Sequence, residues 1–209
     1  KKLATVPHKV KAVISASAIG WYGADPVIPN PHPFTEELPA DKAFLGDTCR
    51  QWEESLQPLT AMNIRLVKLR IGIVLSREGG ALKEFLKPLR FGIAAVLGKG
   101  NQVVSWIHLD DLVNLFIYAI ENEQLNGVFN ATAPHPVSNR ELTLALAKAR
   151  KRFYIPMPVP SFVLKIMMGE MSIEVLKSAT VSSVKVSQSG YTFLYPAISL
   201  AMEKEIQPR

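Results

Sequence analysis

The sequence predicts an α/β fold built on a largely parallel sheet, with a smaller lobe attached. Two segments rich in β-branched residues, KVKAVISAS (9–17) and IRLVKLRIGIVLS (64–76), read as strands, and the second is apolar enough to be buried on both faces. Stretches with apolar residues at helical spacing alternate with the strand segments. The last third is poor in strands and rich in proline, as expected of a lobe packed on the sheet and not of more sheet.

The elements follow in order. After the first strand, ADPVIPNPHPFTEELPAD (24–41) carries five prolines and must be an irregular loop. A helix is expected from about Asp47 to Thr60 with Trp52, Leu56 and Leu59 on one face, and Pro58 should end or kink it early. The second strand turns at Arg77 to Gly80, and ALKEFLKPLRFG (81–92) reads as a helix stopped by Gly92. FGIAAVLG (91–98) is a core segment, GKGNQ (98–102) a turn and QVVSWIHL (102–109) a short strand. Asp110 or Asp111 then opens a helix as N-cap and first-turn acid, with Leu112, Val113, Phe116, Ile117 and Ile120 at helical spacing. NGVFNAT (126–132) is another short strand, and Ser138 followed by Glu141 has the capping-box pattern. YIPMPVPSF (154–162) is an extended connector, followed by helices near 162–168, 172–179 and 198–206.

At 209 residues, with 48% apolar and 20% charged residues, the chain belongs among globular proteins and not among disordered ones. No apolar run reaches the roughly 18 residues of a spanning helix, and no signal-peptide core follows the basic opening. The single cysteine, Cys49, excludes an internal disulfide and fits a reducing compartment, so the cytoplasm is expected. The net charge of +6 invites a nucleic-acid reading. Its one dense cluster, Lys148, Arg150, Lys151 and Arg152, ends an amphipathic helix, where cations favour the dipole and a solvated face is the simpler account. His8, His32 and His135 stand apart from other ligand types, so no metal site is expected.

An open α/β sheet binds its ligand beyond the carboxyl ends of its strands. There the chain carries SASAIGWYG (15–23), RIGIVLS (70–76), WIHLDDLV (106–113) and GVFNATAPHPVSNREL (127–142). In that order, these segments resemble the strand ends of extended short-chain dehydrogenase/reductases, the nucleotide-sugar epimerase group. With FLGDTCRQWE (44–53) and GEMSIEVL (169–176) added, the chain is most similar to the epimerase-like branch often catalogued as cell-division inhibitors. The resemblance implies the C-terminal part of a Rossmann-like doubly wound parallel sheet: residues 1–130, with an insertion near 77–105, as a partial NAD(P)-binding domain, and 131–209 as a mainly helical substrate lobe. It implies NADP or NAD as cofactor. The Gly-rich phosphate-binding turn of the family's first βα unit is not in the sequence, which reads as though roughly the first hundred residues of a longer protein were missing.

By the same resemblance, Ser15, Ala16, Ser17, Arg70, Ile73 and Val74 would line the cofactor, and Trp21, Trp106 and His108 the substrate. The family's acid/base is a tyrosine with a lysine four residues on, plus a Ser or Thr that bonds the reacting oxygen. Aligning the glutamate of Y-x-x-x-K-x-x-x-E with Glu53 puts Leu45 at the tyrosine and Cys49 at the lysine, and no Tyr-x-x-x-Lys occurs anywhere in the sequence. Ser17, with Ser15 as an alternative, holds the Ser/Thr place, though both also read as small residues for close packing. Tyr22 is either a substitute acid or an aromatic wall of the pocket, and His108 either a substrate contact or a structural hydrogen-bonder. The arginine that clamps a nucleotide-sugar pyrophosphate is replaced by Val104. Cys49 reads as a reactive thiol or as an ordinary buried one.

Two functions are therefore expected in competition. One is an NAD(P)-dependent oxidoreductase or epimerase with a non-standard acid/base set and an unknown small-molecule substrate. The other is an NADP(H)-binding sensor or partner-binding protein without turnover. Neither includes a nucleic-acid or membrane partner, and a homodimer is possible for both.

Overall fold

The computed structural model describes residues 5–206, and the first four residues of the basic opening lie outside them. β1 (Ala12–Ala18) ends in a single 3-10 turn (Ile19–Trp21), and the proline-rich loop leads to α1 (Phe44–Glu54). A second 3-10 turn (Gln57–Met62) precedes β2 (Arg65–Ile71) and β3 (Ile73–Leu75). Then come α2 (Gly80–Leu89), β4 (Ile93–Leu97), β5 (Val103–Val104), β6 (Trp106–His108) and α3 (Leu109–Glu121). The chain continues through β7 (Gly127–Ala131), β8 (Val137–Ser138), α4 (Asn139–Ala149) and β9 (Ile155–Val159). It closes with α5 (Ser161–Met168), α6 (Met171–Leu176), α7 (Val184–Gln188) and α8 (Ile198–Ile206).

The parallel α/β expectation holds. β1, β2 and β7 form one parallel sheet in the order β1-β2-β7. The long segment 64–76 is two strands, because the chain changes partner at Gly72. β2 pairs with β7, whereas β3 pairs with β6. Gly72 N–H reaches the Ala131 carbonyl at 3.1 Å and Ile73 N–H reaches that of Ser105 at 2.9 Å, so the switch happens within one residue. A side chain at Gly72 would meet the Ser105 carbonyl oxygen at 2.7 Å, which is why glycine is needed there.

The structure corrects the expected elements at several points. α1 ends at Glu54, before Pro58, and it buries Gly46, Cys49 and Glu53, not Trp52 and Leu56. Trp52 is half exposed, because a buried carboxylate with cationic partners takes the inward face. α3 is capped by His108, whose Nδ1 accepts from Asp110 N–H at 3.1 Å. Asp111 is buried instead and accepts backbone N–H groups from Leu194 and Tyr195. The connector 154–162 contains a real strand, β9, parallel to β4. Ile155 donates to the Gly92 carbonyl at 2.8 Å, so Pro156 and Pro158, one residue out of phase, put their missing donors on the open edge. The capping box is present, with Ser138 Oγ accepting from Glu141 N–H at 3.1 Å and Ser138 N–H donating to Glu141 Oε2 at 2.7 Å.

Two cores hold these layers. One gathers Val67, Leu69, Ile107, Leu115 and Phe129 between the three-stranded sheet and α3, and it recruits Val186 of α7 and Tyr191. The other gathers Leu75, Leu82, Trp106, Leu142, Leu146 and Met202, joining α2 and β6 to α4 and α8. Among the described residues no helix is long and apolar enough to cross a membrane.

Candidate functional site

The strand register itself assembles a polar cluster at the carboxyl end of the sheet. Ser17 of β1 lies opposite Arg70 of β2, and Arg70 lies opposite Asn130 of β7. Because strand side chains alternate between faces, the three share a face with Lys68, two residues before Arg70. Helix α1 crosses this face and inserts Glu53. The Glu53 carboxylate accepts from Arg70 Nε at 2.8 Å and Ser17 Oγ at 2.8 Å through Oε1, and from Arg70 Nη2 at 3.2 Å through Oε2. Lys68 Nζ stands 3.1 Å from Oε2.

The remaining guanidinium nitrogen, Arg70 Nη1, donates to the Tyr22 hydroxyl at 3.0 Å and to the Glu36 carbonyl at 3.1 Å. Tyr22 in turn donates to Asn130 Oδ1 at 2.7 Å, and Asn130 N–H donates to Glu36 Oε1 at 2.8 Å. Trp21 stacks on the outer side of the guanidinium, 3.6 Å from ring centroid to Cζ. Burial pushes the Glu53 carboxyl up, but the hydrogen bonds and charge of Arg70, with Ser17 and Lys68, more than offset this and leave it below the ordinary range. Burial also dominates at Tyr22 and raises its phenol, against the lowering effect of Arg70.

The proline-rich loop is strapped over this cluster. Phe34 N–H donates to the Thr180 carbonyl at 2.8 Å, Ser182 N–H donates back to Phe34, and the Phe34 ring stacks on Tyr22 at 5.3 Å. Asp25 fixes the loop's start by accepting from Ser178 Oγ, Thr180 N–H and Thr180 Oγ1.

Of the sequence-derived candidates, Ser17, Tyr22, Arg70 and Trp21 meet in this one network. Tyr22 is only 1% exposed, with its hydroxyl held between Arg70 and Asn130. Ser15 and Ala16 are partly exposed on β1, and the Ser15 hydroxyl is turned onto the Ala16 carbonyl. Ile73, just past the end of β2, is 39% exposed, and Val74 beside it is partly buried. Leu45 and Cys49 flank the turn after β1, where a side chain added at Gly20 would find Cys49 Sγ and Leu45 Cβ both at 3.5 Å. Burial raises the Cys49 thiol.

Trp106 and His108 sit elsewhere. Trp106 is fully buried in the second core, with Nε1 donating to the His135 carbonyl at 3.0 Å. Since Nδ1 of His108 accepts from Asp110, its proton is on Nε2, which faces Glu205 Oε1 of α8 at 2.9 Å. The residues missing from the sequence-derived set are Glu36, Lys68 and Asn130, while Glu53 entered it only as an alignment mark. Their signal was Lys68 and Arg70 inside an otherwise apolar strand, since two buried cations require a buried acid.

The nicotinamide end of the cofactor implied by the resemblance fits what is present. Ala16 and Ala18, on one face of β1, form a partly exposed ledge of small side chains at the strand end, with Ser15 on the opposite face beside Ser17 and Ile73 exposed beyond. The pyrophosphate end has no fitting element, because no Gly-rich strand-to-helix turn occurs among the described residues. Among those residues no group of three or more His, Cys, Asp or Glu is placed to hold a metal ion.

Comparison with known proteins adds three kinds of likeness. Residues 159–205 match a family profile described as a domain of unknown function, DUF1731. The Bacillus subtilis epimerase family protein YfhF is 36% identical over 203 residues, which is 97% of this chain and 65% of that protein. The chloroplastic epimerase family protein SDR39U1 homolog of Arabidopsis thaliana is 36% identical over 197 residues, covering 93% of this chain and 54% of that one. The crystal structure of human epimerase family protein SDR39U1 (isoform 2) with NADPH superposes at a TM-score of 0.87, with 26% identity over 97% of this chain and 68% of that one. A nucleoside-diphosphate sugar epimerase from Corynebacterium glutamicum superposes at 0.73 with 31% identity, over 94% of this chain and 37% of that one. The chain thus spans between about half and two thirds of the length of the curated relatives named here.

Proposed function

The chain is a homologue of the epimerase-family proteins of the extended short-chain dehydrogenase/reductase type, and on that premise we propose that it forms the nicotinamide side and substrate lobe of an NAD(P)-dependent epimerase-like protein. The observation that carries this reading is the ledge of small side chains at the end of β1, backed by the Ser17–Glu53–Arg70–Tyr22–Asn130 network. A bound nicotinamide would supply hydride transfer. The chain's own residues supply the surface for the ring: Ala16 and Ala18 leave room on one face of β1, with Ser15 on the other, Ile73 and Val74 border it, and Trp21 walls the pocket beyond the strand end.

The acid/base set is non-standard. Leucine has no proton to give at position 45, and a thiol at position 49 cannot provide a fixed positive charge. Ser17 donates its proton to Glu53, so its Oγ can only accept, from a substrate hydroxyl and not from a carbonyl oxygen. Without an arginine at Val104, a nucleotide sugar loses its pyrophosphate clamp, so the substrate in this reading is a small polar molecule lacking that group.

A second reading, NADP(H) binding without turnover, is favoured by one specific observation: Tyr22, the remaining candidate acid, is enclosed by Arg70, Asn130 and Phe34. In this reading the bound cofactor stabilises a partner-binding surface, and the link to cell division suggested by the sequence resemblance would belong here. The YfhF and SDR39U1 relatives carry epimerase names and no reference to division. Either form is proposed to work in the cytoplasm, as a homodimer.

The test is titration of NADPH and NADH into the complete protein by calorimetry, followed by single-turnover assays against carbonyl compounds and nucleotide sugars. Binding with oxidation of NADPH supports the enzyme, and binding with unchanged NADPH throughout supports the sensor. Absence of binding by either nucleotide overturns both.

A further inference from the structure

A second concave site lies away from the ledge, between the end of α2, the end of α4 and α8. It is a cavity of about 400 Å³ lined by Arg77, Leu86, Arg150, Arg152, Glu205 and Ile206. Three of its six lining residues are arginines and one is an acid. It shares no residue with the Ser17–Glu53–Arg70 network.

The acid does not neutralise the arginines from within the cavity. Glu205 is only 9% exposed and is turned inward, with Oε1 facing His108 Nε2 at 2.9 Å and Oε2 accepting from the Arg77 backbone N–H. Among the described residues, neither Arg150 nor Arg152 forms an ion pair. Arg150 caps the carboxyl end of α4, where the helix dipole favours a cation. The dipole does not explain why Arg150 Nη1 is removed from solvent with no hydrogen-bond acceptor. A buried guanidinium N–H without an acceptor is costly and calls for an explanation. Nη1 has no surface open to the cavity that Arg150 lines, so an anion seated there supplies an acceptor once the guanidinium turns toward it.

The remaining walls narrow the ligand. Leu86 and Ile206 add an apolar surface beside the arginines. The volume is several times that of a phosphate group and falls in the range of sites for small organic ligands. Guanidinium groups pair with phosphate oxygens in a planar, two-point geometry. We propose that this cavity binds a small organic phosphate, its phosphate on Arg150 and Arg152 and its carbon skeleton against Leu86 and Ile206. This accounts for the basic cluster better than a nucleic-acid surface would. Two of its four members, Arg150 and Arg152, line an open concavity, and no aromatic side chain for base stacking is among the lining residues. The proposal does not depend on the nicotinamide reading.

Calorimetric titration of the complete protein at low salt tests it, with inorganic phosphate, pyrophosphate and phenyl phosphate as probes. Phenyl phosphate is expected to bind more tightly than inorganic phosphate. Arg150→Gln should weaken it at least tenfold, and Arg152→Gln, at an exposed position that leaves folding intact, should weaken it severalfold. Neither substitution should change NADPH binding, which separates this site from the ledge. Three results would overturn the proposal: no phosphate probe binds, binding is the same in both variants, or a single-stranded oligonucleotide binds more tightly than phenyl phosphate through the same arginines.

Discussion

Glu53 and Arg70 meet in a two-point ion pair, Oε1 to Nε at 2.8 Å and Oε2 to Nη2 at 3.2 Å, between helix α1 and strand β2. Their side chains are 4% and 2% exposed, so neither charge has water as an alternative partner. Removing one member of such a pair leaves the other buried and uncompensated, which costs about 3–5 kcal/mol. Arg70→Met should lower stability by about that amount, because Lys68 alone cannot saturate both carboxylate oxygens. Combining it with Glu53→Leu and Lys68→Met should recover part of the loss, since apolar replacement of a whole buried ionic group is often nearly neutral. Urea unfolding followed by tryptophan fluorescence measures both, with Trp21 reporting directly on the guanidinium beneath it. A loss below about 1 kcal/mol for Arg70→Met, the worth of an exposed pair, would contradict the buried-anchor account.

The same cluster fixes the direction of two pH dependences. Glu53 is held below its ordinary value when folded, so its contribution is fully present above about pH 4.3 and is lost as pH falls through the folded value. Glu53→Gln should therefore flatten the acid limb of the stability profile. Tyr22 is raised mainly by burial, so its contribution is present below about pH 10 and is lost as pH rises through the higher folded value. Tyr191 is raised the same way, by burial and then by Asp111. Phenolate absorbance during alkaline titration should show two tyrosines ionising above the ordinary phenol range, and Tyr22→Phe should remove one of them. Ionisation of Tyr22 and Tyr191 at about pH 10 in the folded protein would refute the burial of both.

Cys49 is the chain's single cysteine, so thiol chemistry reads one site. It packs against the turn after β1, is 6% exposed, and burial raises its thiol. A disulfide reagent at neutral pH should modify the folded protein at least a hundredfold more slowly than an unfolded control, because both access and thiolate fraction are reduced. Rapid modification in the folded state would revive the reading of Cys49 as a reactive nucleophile. It would also loosen the picture of α1 closed against β1.

The parallel strands and the capping box were legible from the sequence because each rests on local pattern, and Ser17, Tyr22 and Arg70 were singled out through the resemblance of the strand ends to a known family. The break at Gly72 was not legible, since β-branched residues flank it on both sides and a lone glycine does not by itself show the change of partner from β7 to β6. β9 was hidden by Pro156 and Pro158, which are harmless because their missing donors face an open edge. The inward face of α1 was misread from Trp52, because apolar periodicity cannot see that Lys68 and Arg70, on a distant strand, require Glu53 inside. His108 was open to two readings, a substrate contact or a structural hydrogen-bonder; its cap on α3 is local, but its bond to Glu205 depends on residue 205 folding back across the second core.

Gly46 joins the proline-rich loop to α1, and its replacement tests whether the site depends on that contact. A β-carbon at Gly46 would fall on the Asp41 carbonyl oxygen and lie 2.7 Å from its carbon, and backbone atoms cannot rotate out of the way. Asp41 is itself tied down, with its N–H donating to the Trp21 carbonyl at 2.8 Å and its carboxylate accepting from Ala43 N–H at 3.2 Å. Gly46→Ala must therefore lift α1 away from the turn after β1, at a cost of about 1–3 kcal/mol for overpacking. Since Leu45 and Cys49 ride on the same turn of helix, the substitution should also speed thiol modification of Cys49 severalfold while the protein remains folded. Gly79 provides the control, because a β-carbon there meets nothing within 4 Å and its φ of −171° suits any residue. Gly79→Ala should be neutral in both measurements. If Gly46→Ala proves equally benign, the loop and helix are not in the contact described, and the enclosure of Tyr22 beneath the loop would lose its support.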